Sequence, residues 1–222
     1  MKGGVILFVV EGPSDQDAIV AFIAEELKKQ KIKTTVKIMH GDILTKYEEY
    51  TRDFEVSTKN VKKKVKDLIT EYLASSQIKS DRIKVTDINK IYYITDTDNC
   101  FFSDKSHSIN KKECLNKMFN FEGIELTKTK KSDFEIIFFS YNLEHVIVNK
   151  IGDISNREKE NIASDFAIKS LLDRDYFIDT FFDNNLKKWS TYRESYKGIN
   201  IHQGRACNMN NLLDEIETWK AK

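Results

Sequence analysis

Carboxylates follow apolar runs at widely separated places in this sequence. "VILFVV" (5–10) stops at Glu11-Gly12, and "IYYIT" (91–95) stops at Asp96-Thr97-Asp98. "TVKIM" (35–39) gives way to His40-Gly41-Asp42, and "FEIIFF" (134–139) to Ser140, with Asn142 and Glu144 just beyond. Side chains at i and i+2 of an extended segment share a face, so the spacing predicts that Asp96 and Asp98 look into one site. If Glu11 joins them, like charges crowd together unless one acid keeps its proton or a cation neutralises the group. A hard, oxygen-liganded ion answers that need best: Mg²⁺, or Mn²⁺ in its place, takes one or two carboxylates and leaves room for water and phosphate oxygens. Such an ion would give Asp96, Asp98 and Glu11 a common role as its oxygen ligands, facing a substrate that brings phosphate.

Such a site requires elements that bring distant residues to one place. The four apolar runs read as strands of a mainly parallel sheet. Ala18, Ile19, Phe22, Ile23 and Leu27 recur at helical spacing between the first two, and Val61, Val65, Leu68, Ile69, Tyr72 and Leu73 between the second and third. Alternation of this kind predicts an α/β fold with right-handed crossovers and helices on both faces. In open sheets of this type the functional crevice lies outside the carboxyl ends of the strands, where the acids stand. After Ser140 helical patterns dominate, over 143–150, 156–172 and 209–220. The reading is an α/β domain over 1–150 and a helical extension over 151–222 packed on the same core.

Several residues have structural duties to weigh against chemical ones. Ser14-Asp15-Gln16-Asp17 matches a capping box, with Ser14 as N-cap and Asp17 at N3, and Pro13 suits a helix entry. Gly12 supplies backbone freedom or lets another chain segment approach. His40 and Asp42 are candidates for a metal or phosphate contact, but "HGD" is also turn chemistry, which the reading favours. Glu144 either completes the acidic cluster or stabilises a helix N-terminus. Among the basic runs (59–66, Lys111-Lys112, 128–131 and the late Arg193, Lys197 and Arg205), Lys128, Lys130 and Lys131 precede the fourth strand and are the candidates for flanking a phosphodiester. Trp189, Tyr192 and Tyr196 are candidates to stack on bases.

Composition narrows the class further. With 222 residues, 40% hydrophobic and 32% charged, the chain can bury one sizeable core, and no apolar run nears the length of a membrane span. The net charge of +1 argues neither for nor against a nucleic-acid partner. Three cysteines without a C-x-x-C pair point to reduced thiols and a cytoplasmic setting. No nucleophile-base pairing is visible, and the absence of a G-x-x-x-x-G-K-[ST] loop assigns any ATP chemistry to a separate protein.

Together, "VVEGPSDQDAI" and "IYYITDTDN" resemble the TOPRIM domain of topoisomerases, bacterial primases and OLD-family nucleases. The resemblance implies a Mg²⁺- or Mn²⁺-dependent phosphoryl-transfer enzyme, a nuclease acting on DNA or RNA, in which Glu11 is the general acid/base that moves a proton, Asp96 and Asp98 bind metal with Glu11 beside them, and Asp15 is the family's additional acid. "SYNLEHVIVNK" and "ACNMNNLLDEI" are similar to the ends of RloB-like and related single-domain TOPRIM proteins of bacterial defence loci, which implies a partner ATPase. The long polar segment after the second strand departs from compact TOPRIM domains and leaves the substrate class open. The alternative is a non-catalytic module of the same fold that binds nucleic acid or recruits an ATPase. A receiver-like phosphoacceptor fits less well, because its acidic pair would follow the first strand.

Overall fold

β1 (Val5–Val10) is buried at every position, which is why its sequence is apolar without alternation. In the computed structural model, which describes residues 4–48, 53–101, 103–150, 154–182 and 205–220, β1 lies inside a five-stranded sheet. The order is β2-β1-β3-β5-β4, with β2 (Lys33–Ile38), β3 (Ile88–Asp96), β4 (Ile124–Glu125) and β5 (Lys131–Phe139). The pairings of β1 with β2, β1 with β3 and β3 with β5 are parallel; only the short β4 is antiparallel. The architecture is therefore Rossmann-like α/β. β2 begins before the apolar run that marks it in the sequence because it is an edge strand, and Lys33 and Thr34 are compatible with a half-exposed position.

Successive β1 side chains divide the core into two layers. Val5, Leu7 and Val9 pack with Ile91, Tyr93, Ile136 and Phe138 under α3 (Val61–Leu73) and α5 (Ser106–Met118), with α4 (Ser76–Ser80) at the margin. Ile6, Phe8 and Val10 pack with Tyr92, Ile94, Ile137 and Phe139 under α2 (Ala21–Lys29), α6 (Leu143–Val148), α7 (Asn156–Leu172) and α8 (Arg174–Phe182). The last described helix, α9 (Met209–Lys220), contributes Met209, Leu212, Leu213 and Ile216 to this second layer. The late helices are thus built onto the sheet. Among the described residues no helix is long and apolar enough to cross a membrane.

The helical run opens two residues earlier than the sequence suggests. Gly12 is the N-cap of α1 (Pro13–Asp15), and the Asp15 carboxylate accepts a hydrogen bond from the Gly12 N–H at 2.9 Å. Ser14 and Asp17 therefore do not form the expected capping box; Pro13 at the first helical position moves the start upstream. A π-helical turn, Gln16–Val20, then buries Ala18, Ile19 and Val20 in succession before α2 continues. Gly12 has extended backbone (φ −141°), and an added Cβ would meet only the Asp15 carboxylate at 3.8 Å. Neither backbone freedom nor a close approach accounts for it.

Polar clamps fasten the C-terminal part to the sheet. Asn208 accepts from Phe138 N at 2.8 Å and donates to Ile136 O at 2.7 Å, covering the edge of β5 that β4 leaves open. Lys90 on β3 donates to Glu135 on β5 at 2.8 Å and to Glu215 on α9 at 2.9 Å, and Tyr92 also donates to Glu215. Lys90 is mostly buried, so losing a partner carries a desolvation cost. Glu215→Ala is expected to lower the unfolding free energy by about 1–3 kcal/mol in urea denaturation. Lys28→Ala, which breaks an exposed pair with Glu25, should cost about 0.5 kcal/mol or less.

Candidate functional site

Parallel strands deliver their carboxyl ends to one rim, and the acids arrive there with them. Glu11 follows β1, Asp42 follows β2, Asp96 ends β3, and Glu144 sits in the first turn of α6 just after β5. The β2 end is held against the β1 end by Met39 N to Val10 O and Gly41 N to Glu11 O, both 2.9 Å. The β3 end is held against β5 by Thr97 N to Phe139 O at 2.9 Å, and the Thr97 hydroxyl accepts from Tyr141 N at 2.8 Å.

A lysine lies at the centre. The Lys111 ammonium, supplied by α5 and 1% exposed, is 2.6 Å from Asp98, 2.9 Å from Asp42 and 3.6 Å from Glu11. Burial alone would push its pKa down, yet Asp42, Glu11 and Asp98 together hold it well above its ordinary value. Asp42 keeps its turn role as well, since its other oxygen accepts from Leu44 N at 2.7 Å. The sequence marks Lys111 only as part of a basic pair.

The remaining acids face outward. Glu11, Asp15, Asp96 and Glu144 line one open cavity of about 450 Å³, with Lys159 of α7 on the far wall. Burial raises the Glu11 pKa to about 8; Lys111 opposes the shift, Asp42 and Asp98 add to it, and the Thr95 hydroxyl, which donates to Glu11 Oε1, opposes it. Burial raises Asp15 to about 6, against the Gly12 N–H and with a contribution from Glu144. Asp96 is raised well above its ordinary value, by burial first and then by Asp15, Glu11 and Asp98. Its Oδ1 is buried with no hydrogen-bond partner among the described residues. No known family model, curated protein or solved structure matches this chain.

Asp96 and Asp98 do not look into one cavity. Asp98 has φ +44°, so the extended backbone on which the i, i+2 argument depends has already ended, and its carboxylate turns to Lys111 and a second cavity. Glu11, Asp96 and Asp98 meet at one rim, but among the described residues no three His, Cys, Asp or Glu side chains are already gathered around an ion-sized space. Lys128, Lys130 and Lys131 lie elsewhere. Lys128 and Lys130 precede β5 and Lys131 opens it, so all three stand at the amino rim, roughly 25 Å away by strand rise, with Lys130 on Asn89 at 2.8 Å and Lys131 near Glu122 at 3.5 Å. His40 is exposed at the edge of the acidic cavity, and His145 is buried on Ser140. Trp189, Tyr192, Arg193, Tyr196 and Lys197 lie outside the described residues. The three cysteines are buried free thiols.

Two expectations follow. Removing the Lys111 ammonium leaves Asp42 and Asp98 beside Glu11 without their counter-charge, so Lys111→Met should cost about 3–5 kcal/mol of stability in chemical denaturation. Glu11 and Asp15 bind protons more tightly folded than unfolded, where their ordinary values are 4.5 and 3.8. Their contribution is therefore full at acid pH and lost as pH rises towards about 6 for Asp15 and about 8 for Glu11. In EDTA, the thermal midpoint should fall between pH 5 and 8, and Glu11→Gln should lack the upper part of that slope.

Proposed function

We propose that this chain is a Mg²⁺- or Mn²⁺-dependent nuclease of TOPRIM type that hydrolyses phosphodiesters of DNA or RNA, acting in the cytoplasm beside a separate ATPase in bacterial anti-phage defence. The observation that carries the reading is the imbalance of charge in the acidic cavity. Glu11, Asp15, Asp96 and Glu144 line it, with Lys159 and Glu160 on the α7 side, and among the described residues Asp96 Oδ1 is buried without a partner. Such a donor set is all oxygen and lacks positive charge, which fits a hard divalent ion. The "EGPSD" and "DTD" motifs that resemble TOPRIM sequences supply three of these four acids and Asp98.

Asp96 and Glu11 would hold the ion, with Asp15 and Glu144 as further oxygen donors. Bound there, Mg²⁺ would supply charge stabilisation for a phosphoryl oxygen and an activated water. Glu11 is the residue equipped to hold and move a proton. Thr95 and Lys111 both engage its Oε1, which leaves Oε2 to carry the proton. With its pKa at about 8, Glu11 is an acid at neutral pH, and positive charge brought into the cavity lowers that value toward a base. Lys111 positions Glu11, and Asp98 and Asp42 position Lys111. Asp98 is thereby assigned to holding the lysine and not the ion.

A second reading has its own support. Lys111 holds Glu11, Asp42 and Asp98 together around one ammonium without any added ion, as a scaffold would require. That reading makes the chain a nucleic-acid-binding or ATPase-recruiting module. Calorimetric titration with Mg²⁺ and Mn²⁺, paired with incubation on supercoiled DNA and structured RNA, separates the two. The nuclease reading expects Asp96→Asn to weaken ion binding and Glu11→Gln to slow cutting by about 100-fold or more. Absence of ion binding by the wild type, or equal cutting by all three proteins, would leave the scaffold reading standing.

A further inference from the structure

The second cavity, about 280 Å³, is lined by Asp98, Asn99, His107, Ser108 and Lys111, and the Lys111 ammonium links it to the acidic cavity by standing 3.6 Å from Glu11. It lies at the start of α5, a helix of 13 residues whose N-terminus has no side-chain cap. An uncapped helix start offers backbone N–H groups and the positive end of the helix dipole to an anion. A second observation also points to a ligand. Ser108 is 3% exposed, and its hydroxyl has no hydrogen-bond partner among the described residues. A buried hydroxyl left unsatisfied is costly, so a group that supplies an acceptor there is favoured. The Asp98 carboxylate also borders the cavity and repels an anion; the Lys111 ammonium at 2.6 Å, which Asp98 shares with Asp42 and Glu11, offsets part of that repulsion.

An aromatic ring stands beside this helix start. The segment after β2 folds back on itself: Tyr47 bridges Phe54 in antiparallel fashion, Glu48 N donates to Asp53 O at 2.7 Å, and Glu55 N donates to Lys46 O at 3.1 Å. Asn110, buried in α5, donates to Leu44 O and Val56 O, both at 2.8 Å, and so fixes this lobe to the helix. Tyr47 stacks on Phe54 with ring centroids 4.3 Å apart, and its hydroxyl shares a hydrogen bond with that of Ser106, the first residue of α5. Even so constrained, Tyr47 remains 43% exposed. An ordered, exposed aromatic beside an anion-seeking helix start has the makings of a nucleotide contact: base on the ring, phosphate at the helix.

We propose that the α5 N-terminus with Ser108, together with Tyr47, forms a nucleotide subsite that holds a phosphate and an unpaired base of a single-stranded segment beside the acidic cavity. This rests on the nuclease reading and narrows its substrate to strands with an accessible base face, since stacking on Tyr47 requires an unpaired base.

The test is fluorescence anisotropy with a short fluorescein-labelled oligothymidylate in EDTA, where neither metal nor turnover enters. Tyr47→Ala should weaken binding by about tenfold, and Ser108→Ala by about threefold. Tyr47→Phe keeps the ring and should bind as wild type does; inorganic phosphate should compete for the site. Thermal melts check that the variants fold, and the exposed Tyr47 pair carries the test if Ser108→Ala does not. Binding unchanged in Tyr47→Ala would overturn the proposal, as would equal affinity for the same sequence in a duplex. Competition by phosphate without any dependence on Tyr47 would reduce the site to an anion pocket and would also overturn it. Tyr47-dependent binding by a wild type that cuts nothing would sink the nuclease reading alone. Cutting of a single strand that is lost in Glu11→Gln but indifferent to Tyr47→Ala would sink the subsite alone.

Discussion

One buried ammonium holds the end of this sheet together. Parallel pairing delivers the carboxyl ends of β1, β2 and β3 to the same rim, and each end brings an acid: Glu11, Asp42 and Asp98. Left alone, the three would repel across short distances in a poorly hydrated place. Lys111 converts that repulsion into attraction, most strongly towards the buried Asp42 carboxylate and less towards the half-exposed Asp98. The desolvation of Lys111 consumes much of this, so the ion pairs are better regarded as fixing geometry than as a large net gain. Their joint effect is that α5 cannot move against the sheet without separating charges.

The arrangement is unequal across the rim. On the Lys111 side, three carboxylates share one ammonium and two of them lie within 3 Å of it. On the cavity side, Asp15, Asp96 and Glu144 join Glu11 with Lys159 as the facing cation. The second group can reach neutrality only by keeping protons or by gaining positive charge from outside. The Glu11 pKa of about 8 and the Asp15 pKa of about 6 are the proton solution. A divalent ion is the other, and the two solutions exclude one another at Glu11, which is what makes that residue suited to giving up a proton as charge arrives.

The strands and the acids at their ends are legible in the sequence because burial on both faces writes an unbroken apolar run, and any charge that ends such a run stands out. Helix α5 does not announce itself in that way. Its buried face includes Ser108, Asn110 and Lys111, so hydrophobic periodicity finds little to count there, although Cys114, Leu115 and Met118 anchor its second half. Local rules fail where a helix has been given polar work to do. Asp98 misleads for a different reason: the i, i+2 rule belongs to extended backbone, and nothing in "DTDN" marks where the strand stops and φ turns positive. For Lys128, Lys130 and Lys131 strand direction decides the place. Residues just before a parallel strand must lie at the rim opposite to those just after it.

The polar face of α5 also couples two regions that the sequence separates widely. Ser108 and Lys111, three apart, share a helix face, while Asn110 on the neighbouring row grips the lobe after β2. Lys111 reaches the acids from that same helix. A displacement of the lobe therefore has a short mechanical path to Glu11: through the Asn110 amide to α5, through α5 to Lys111, and through Lys111 to the carboxylate. Flexible side chains on an unconnected loop would provide no such path. Because close packing transmits small shifts and does not absorb them, a shift at Tyr47 or the start of α5 also bears on the position of the ammonium that opposes the raised pKa of Glu11.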